Sequence, residues 1–174
     1  DPRVMWNTIE SVSRAGGEPI ISKTGHAFIK QRMRDVNAIY GGEMSAHHYF
    51  RDFAYCDSGM IPWLLIWELL STSGKSLRTL LENARARFPS SGEINFTVSD
   101  ADACLTRAEE VYGATALSVD HLDGISIAHE DWRMNLRKSN TEPLVRLNVE
   151  TRGAPDLLQK KIDELTQLIE GMRA

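Results

Sequence analysis

Residues 18–43 read EPIISKTGHAFIKQRMRDVNAIYGGE, which is the pattern of a strand, a helix and a second strand. Short apolar runs lie at both ends, and Phe28, Ile29 and Met33 recur between them at helical spacing. Units of this length pair their strands in parallel through a crossover helix. We therefore predict an α/β module with a parallel or mixed sheet. Helical periodicity begins almost at the first residue, so we expect this sheet to lack its first strand.

The pattern of the chain changes at residues 89–92, PSSG, which have the composition of a linker. Before them, the apolar run MIPWLLIWELL at residues 60–70 predicts a buried helix, and residues 75–88 predict an amphipathic one. After them come a strand, a helix, a hairpin around LDG, two alternating strands and a last helix. We predict two domains, at residues 1–88 and 89–174, the second being α+β with an antiparallel sheet and two helices.

Composition excludes some classes of function. The 174 residues carry a net charge of −4, and lysine and arginine are scattered along the sequence. A nucleic-acid-binding protein usually shows a basic patch, so we do not expect that partner. The longest apolar run is too short to span a bilayer and contains Glu68. We expect a cytoplasmic protein that binds neither nucleic acid nor a membrane.

The stretch GGEMSAHHYF at residues 41–50, here called the Glu-Ser-His loop, follows the second predicted strand. Its Glu43, Ser45 and His47 alternate, and together they can donate to and accept from the vicinal hydroxyls of a sugar ring. Open α/β sheets place their ligands at such strand ends. A packed structural loop is the alternative. A metal site using His47, His48 and Asp52 beside Glu43 is less favoured, because adjacent strand residues point apart.

The stretch RKSNTEP at residues 137–143, here called the Arg-Ser-Asn-Thr loop, lies between two predicted strands. One guanidinium, two hydroxyls and an amide form a compact group of donors for a tetrahedral oxyanion. The alternatives are a helix capping box and an ordinary turn. The proline at position 143 and the alternating run behind it argue against a helix. Phosphate binding and a simple turn both remain open from the residue types alone.

Two further residues gain meaning only in combination. His26 opens the predicted helix in SKTGHAF, where a helix N-terminus favours anions, although a surface capping histidine is the simpler interpretation. Arg3 follows the place where a preceding strand would end, which adds a cation at the same sheet edge. A cleft shared by the two domains would bring these residues and both loops together.

The two loops, in this order and on either side of the linker, resemble those of the α-D-phosphohexomutases. The stretches DPR, AGGEPIISKTGHAFIKQRM and FRDFAYCDSGMIPWLL are also similar to that family, and most similar to bacterial phosphomannomutases of exopolysaccharide and nucleotide-sugar synthesis. The resemblance implies that the chain is the family's third domain without its first strand, followed by the fourth.

The resemblance also implies roles for single residues. Glu43 and Ser45 would bind two adjacent ring hydroxyls, and His47 would lie near the reacting oxygen as a possible general acid or base. His26 and Arg3, the latter where some relatives have lysine, would line the same cleft. The phosphate on the non-reacting end of the sugar would be gripped by Arg137, Ser139, Asn140 and Thr141.

The activity implied is that of an isomerase that interconverts mannose 6-phosphate and mannose 1-phosphate through a phosphoserine and a hexose 1,6-bisphosphate. The nucleophilic serine and the Mg²⁺ ligands are expected in N-terminal domains that this sequence does not contain, and no metal ligand is expected here. The fragment alone should then be inactive. The alternatives are a phosphoglucomutase, a mutase of dual specificity, a stand-alone sugar-phosphate binding module, and an unrelated scaffold that matches by chance.

Overall fold

The computed structural model describes residues 1–139 and 142–172, so predicted site residues Asn140 and Thr141 lie outside the described residues. Residues 1–88, here called the first module, are mainly helical, with one small sheet. Their elements in chain order are α1 (Trp6–Arg14), α2 (His26–Asp35), β1 (Tyr40–Gly42), β2 (His48–Phe50), a 3₁₀ turn (Arg51–Phe53), β3 (Cys56–Asp57), α3 (Met60–Ser73) and α4 (Leu77–Arg87).

The sheet of the first module is antiparallel, in the order β1-β2-β3, and the predicted parallel pairing is wrong for the described residues. Residues 43–47 alone join β1 to β2, whereas a parallel connection needs a dozen residues or more. Residues 18–22, predicted as a strand, form none, because no described strand lies beside them to complete a ladder. Helix α2 packs on β1 through a small core of Ile29, Met33 and Tyr49.

Helix α3 forms where the apolar run predicted it, but it is not buried. None of its residues is buried, and Trp63, Leu64 and Trp67 are each more than half exposed. No element among the described residues covers it, so the prediction of a buried helix is wrong for this chain. No described helix is both long enough and apolar enough to cross a membrane.

Residues 89–174, here called the second module, have the predicted α+β arrangement. The described residues form a five-stranded antiparallel sheet in the order β4-β8-β7-β6-β5. The core lies between this sheet and two helices, and includes Met134, Leu147 and Leu165, all fully buried. The elements are β4 (Ile94–Thr97), α5 (Ala101–Tyr112), a 3₁₀ turn (Gly113–Thr115), β5 (Ser118–Asp120), β6 (Ile125–Ala128), β7 (Trp132–Lys138), β8 (Leu144–Thr151) and α6 (Pro155–Glu170).

A buried ion pair of the second module holds the N-terminal segment of the first. Arg133 Nη1 lies 2.8 Å from a Glu150 carboxylate oxygen, and both side chains are at most 1% exposed. Glu150 accepts hydrogen bonds from the backbone N–H groups of Met5, at 2.9 Å, and Trp6, at 3.3 Å. Arg133 donates to the carbonyl of Arg3 at 3.2 Å. The contact between the modules therefore fixes the backbone next to Arg3.

Candidate functional site

The Glu-Ser-His loop is the tight turn of the β1–β2 hairpin. The N–H of Glu43 donates to the carbonyl of His47, and that of Ala46 donates to the carbonyl of Glu43, both at 3.0 Å. The Glu43–His47 hydrogen bond leaves residues 44–46 as a three-residue hairpin loop. Ala46 has φ 64°, a left-handed conformation that such a loop requires and that glycine usually adopts. Gly41 lets β1 approach α2, since a Cβ there would lie 2.7 Å from the sulfur of Met33. Backbone strain and close packing thus fix the loop.

Glu43 is the centre of this loop. It is 8% exposed, and its oxygens accept from the N–H of Gly25 at 2.7 Å, the hydroxyl of Ser45 at 3.1 Å and Nδ1 of His47 at 2.9 Å. Burial alone raises the pKa of the Glu43 carboxyl, but these hydrogen bonds together outweigh it and the net pKa is lowered. A carboxylate has about four acceptor sites. Glu43 can therefore accept one more hydroxyl without rearrangement, and a second only if Ser45 or His47 turns away.

Two aromatic rings place His26 beside the loop. The exposed His26 ring at the start of α2 meets the His47 ring edge-on, with centroids 4.6 Å apart, and the Tyr49 ring at 5.2 Å. The Tyr49 hydroxyl is buried next to the Glu43 carboxylate and makes no hydrogen bond of ordinary geometry with the described residues. Burial, with a smaller effect of that carboxylate, raises the pKa of Tyr49 to about 12. His26 and His47 thus form one half-exposed imidazole pair.

Arg3 connects the first loop to the second module. Its side chain is buried and forms a bidentate ion pair with Asp1, at 3.0 and 2.7 Å. Its Nη2 lies 3.4 Å from the hydroxyl of Ser45, and its Nη1 lies 3.8 Å from a carboxylate oxygen of Glu93. The predicted cation is therefore in place, although two carboxylates already share it.

The Arg-Ser-Asn-Thr loop joins β7 to β8, as predicted. Arg137 is the last but one residue of β7, and its Nη2 lies 3.0 Å from Glu93. The N–H of Ser139 donates to the carbonyl of Leu144 at 2.9 Å, so this backbone donor belongs to the hairpin and is not spare for an anion. Of the four residues predicted to grip phosphate, the structure places Arg137 and Ser139.

Glu93 and Arg146 were not predicted from the sequence as part of the site. Glu93 follows the linker, and its second oxygen lies 3.3 Å from Nη1 of Arg146. Arginines that are scattered along the sequence thus meet at one carboxylate. Arg146 could have been found, because a hairpin centred on residues 141–142 places it opposite Arg137. No local signal in the sequence marks Glu93.

A different set of possible metal ligands comes together from that considered in the sequence. His26, His47 and Asp57 each offer one ligand atom, and these atoms lie within 4.8 Å of one another. One oxygen of Asp57 already accepts from the backbone N–H of His48 at 2.8 Å. Both histidines belong to the predicted sugar site, and the expectation that this chain holds no metal stays a prediction.

Cavity volume does not locate the site. A cleft of about 630 Å³ lies at the linker, lined by Arg85, Ala86, Pro89, Ser90, Gly92, Pro155 and Leu158. None of the predicted site residues lines it.

Comparison with known families defines the class of this protein. Residues 3–88 match the α/β/α domain III of phosphoglucomutase/phosphomannomutase, and residues 93–167 match the C-terminal domain of the same family. The chain belongs to the phosphoglucomutase/phosphomannomutase family and corresponds to its last two domains.

Particular relatives agree with this assignment. The chain is 59% identical over 171 residues to a protein of Xanthomonas campestris pv. campestris named "Phosphohexose mutases", and 57% identical over 169 residues to a phosphomannomutase of Escherichia coli K12. It covers 38% and 37% of these two proteins. A crystal structure of a phosphoglucomutase/phosphomannomutase family protein from Burkholderia thailandensis superposes with a TM-score of 0.73 at 27% identity, over 97% of this chain and 36% of that one. The fold class and the family resemblance are therefore confirmed.

Proposed function

We propose that this chain supplies the sugar- and phosphate-recognition half of a phosphomannomutase. The polypeptide that carries it would interconvert mannose 6-phosphate and mannose 1-phosphate through a phosphoserine and a hexose 1,6-bisphosphate. Glu43 and Ser45 bind adjacent ring hydroxyls, and His47 acts next to the reacting oxygen. Arg137 and Ser139, with Asn140 and Thr141, hold the distant phosphate. The relatives named phosphomannomutase support the reaction, and the residue roles rest on the contacts below.

One observation carries this proposal: a continuous chain of polar contacts joins the two loops. Glu43 contacts Ser45 at 3.1 Å, Ser45 contacts Arg3 at 3.4 Å, Arg3 contacts Glu93 at 3.8 Å, and Glu93 contacts Arg137 at 3.0 Å. The loops therefore lie on one surface that crosses the module boundary. A single phosphorylated hexose needs this arrangement, with hydroxyl-binding groups at one end and a fixed guanidinium at the other. Arg3 and Glu93, which belong to neither loop, make this connection.

The proposal also assigns different roles to the domains of the longer polypeptide: this chain recognises the substrate, and other domains supply the nucleophile and the metal. We place the boundary between residues 88 and 89, which agrees with the linker composition and with the limits of the two family matches. Phosphoryl transfer requires a nucleophile and charge stabilisation by Mg²⁺. This sequence has no Asp-Gly-Asp run that would resemble the family's metal loop, so no step of the mechanism is assigned to a metal bound by this chain. A cytoplasmic location fits a phosphorylated substrate of nucleotide-sugar synthesis.

The test uses mutase turnover of the longer polypeptide and of the 174-residue chain. Glu43→Gln in the longer polypeptide should lower kcat/KM by about 10- to 100-fold, the usual effect of losing a charged hydrogen bond. His47→Ala should lower kcat more than it raises KM. His121→Ala, which removes an exposed histidine of the second module paired with Glu109, is the matched control and should change neither.

Two results would contradict the proposal. Unchanged turnover of the His47→Ala variant would remove the acid–base role. Measurable turnover by the purified 174-residue chain would show that the fragment is not merely the recognition half.

A mutase of dual specificity is the second candidate, because the Xanthomonas relative at 59% identity has the broader name "Phosphohexose mutases". Glucose and mannose phosphates, compared at equal concentration in the same assay, separate the two. A kcat/KM ratio within about tenfold, or 1.4 kcal/mol, would favour dual specificity.

A further inference from the structure

Three side chains that can ligate a metal lie on one face of the first module's sheet. Tyr49 of β2 is the register partner of Asp57 of β3, so their side chains share a face, and His47 shares it because it lies two residues before Tyr49. The His26 ring at the start of α2 lies against this face, with its centroid 4.6 Å from that of His47. One ligand atom from each of His26, His47 and Asp57 lies within 4.8 Å of the other two. The fold thus gathers two imidazoles and a carboxylate from a helix, a loop and a strand.

The Glu-Ser-His loop orients His47 as a metal ligand. A carboxylate can only accept hydrogen bonds, so the 2.9 Å contact with Glu43 requires the ring proton to be on Nδ1 of His47. The lone pair of the neutral ring is then on Nε2, which is left to bind an ion. Metal-binding histidines are typically held in this way, by a carboxylate that accepts from the second ring nitrogen. Glu43 would therefore fix both the tautomer and the orientation of the ligand.

Asp57 completes the set with a negative charge. One of its oxygens accepts from the backbone N–H of His48 at 2.8 Å, which fixes the side chain and leaves the second oxygen as the possible ligand. The charges of Asp57 and Glu43 together offset the two positive charges of a divalent ion. Arg3, the cation beside the loop, is paired with Asp1 at 2.7 Å and does not cancel them.

Two imidazoles and one carboxylate select the kind of ion. Mg²⁺ and Ca²⁺ prefer oxygen ligands, whereas three such protein ligands with an open fourth position are typical of Zn²⁺. Zn²⁺ bonds of about 2.0–2.2 Å place tetrahedral ligand atoms about 3.4 Å apart, so a pair that is 4.8 Å apart must close by about 1.4 Å. His26 is exposed, so its ring can turn to make this closure and an ion can reach it from solvent.

We propose that His26, His47 and Asp57 bind a divalent transition-metal ion such as Zn²⁺, and that the bound ion blocks the sugar site. The second half of this inference rests on the proposed function, because it takes His47 as part of that site. Nε2 of His47 cannot ligate the ion and act on the reacting oxygen at the same time. The ion is distinct from the Mg²⁺ expected in other domains, and it would overturn the expectation that this chain holds no metal ligand.

Isothermal titration calorimetry of the 174-residue chain with zinc chloride, in a buffer that does not bind the ion, tests the site. His26→Ala and Asp57→Asn should each weaken Zn²⁺ binding by at least about tenfold, since losing even an outer group of a metal site costs about 10- to 100-fold. The matched control is His48→Ala, which removes the adjacent histidine, whose Nδ1 lies 2.7 Å from the hydroxyl of Tyr40. It should bind Zn²⁺ as the parent does. Circular dichroism checks that each variant is folded.

Mutase turnover of the longer polypeptide, with Mg²⁺ in excess, tests whether the ion blocks the sugar site. The Zn²⁺ concentration that halves turnover should rise at least about tenfold in Asp57→Asn and should not change in His48→Ala. Inhibition by Zn²⁺ that displaces Mg²⁺ in other domains would be the same in the parent and in both variants.

Three results would contradict the inference. A parent chain that binds no Zn²⁺, or Zn²⁺ binding that Asp57→Asn leaves unchanged, would show that these residues form no metal site. Equal inhibition of the parent and of Asp57→Asn would show that the bound ion does not block the sugar site. None of these results bears on the proposed function, which fails instead if His47→Ala leaves turnover unchanged, and that failure would leave the calorimetric result as it stands.

Discussion

Removing the charge of Glu150 should destabilise the protein strongly, and the structure sets the magnitude. Glu150 is fully buried, pairs with Arg133 at 2.8 Å, and accepts from the N–H groups of Met5 and Trp6. Glu150→Gln keeps the shape and one acceptor oxygen but leaves the Arg133 charge buried without a counter-charge. Breaking a buried pair in this way costs about 3–5 kcal/mol, and the amide oxygen that remains puts the expected loss near 3 kcal/mol.

Urea unfolding followed by tryptophan fluorescence measures this loss in the free energy of unfolding. A decrease of about 3 kcal/mol is large against a total of about 5–15 kcal/mol for a typical domain. The matched control is Glu110→Gln, which removes the same charge from an exposed pair with Arg107 and should cost less than about 0.5 kcal/mol. If Glu150→Gln costs no more than the control, the buried pair does not hold the modules as described.

A double variant tests the physical reason. Arg133→Met with Glu150→Leu removes both charges together, so no unpaired charge stays in the interior. Such replacements are often neutral or stabilising where no other group depends on the pair. Here they also leave the N–H groups of Met5 and Trp6 and the carbonyls of Pro2 and Arg3 without these partners, and an unsatisfied buried group costs about 1–3 kcal/mol. The double variant should therefore be less stable than the parent, and a double variant as stable as the parent would mean that these four hydrogen bonds contribute nothing to stability.

Three further predictions concern single residues. The pKa of Glu43 is lowered below 4.5, so its ionised carboxylate stabilises the fold above that pH. Urea unfolding from pH 3 to 7 should show the parent more stable than Glu43→Gln near neutral pH, and this difference should disappear as the pH falls below 4.5. Gly124→Ala should lower the free energy of unfolding by more than about 2 kcal/mol in the same assay, because φ is 70° and the new Cβ would lie 2.3 Å from the carbonyl oxygen of Leu136. The control Gly92→Ala has a similar φ of 69° but its Cβ would enter open space, so it should lower the free energy of unfolding by only about 1 kcal/mol. Tyr49→Phe should change stability at pH 7 by no more than about 1 kcal/mol, since the buried hydroxyl makes no hydrogen bond of ordinary geometry with the described residues. Thermal melts should show the parent losing stability between pH 10 and 12 where the variant does not. A parent that gains stability over Glu43→Gln as the pH falls would contradict the contacts of Glu43. An equal loss of stability in both glycine variants would contradict the close approach at Gly124, and a large loss in Tyr49→Phe would contradict the description of its hydroxyl.

Local sequence signals predicted the second module well, because its pairing is itself local. Each of β5–β6 and β7–β8 pairs strands that are neighbours in sequence, and the LDG turn sets the register of the first pair. The first module was harder, because a parallel strand depends on a partner distant in sequence. Residues 18–22 have the composition of a strand, but no strand among the described residues lies beside them. Helix α3 shows the same limit, since apolar composition predicts a helix but not what covers it.

In the candidate site too, residues close together in sequence were predictable, and residues brought together only by the fold were not. Glu43, Ser45 and His47 were found because one tight turn holds all three, and their spacing of two residues is visible in the sequence. Glu93 was missed because it reaches the arginines only through the fold, 44 residues away from Arg137. Arg146 was within reach of sequence reasoning once the hairpin register was considered. Sequence therefore identifies the two loops of the candidate site, and the fold decides which charges lie beside them.

The position of Arg3 makes the site a property of both modules. The side chain of Arg3 contacts Ser45. Arg133 of the second module is not part of the site, but it donates hydrogen bonds to the carbonyls of Pro2 and Arg3, at 2.7 and 3.2 Å. The second module thus fixes the backbone from which a cation reaches the loop of the first. Arg133 of the second module holds the carbonyl of Arg3, while the guanidinium of Arg3 contacts Ser45 of the first module and Glu93 of the second. A shift of one module against the other therefore changes the distance from Arg3 to Ser45 or to Glu93. The Glu-Ser-His loop and the Glu93–Arg137 contact are therefore linked through this one residue.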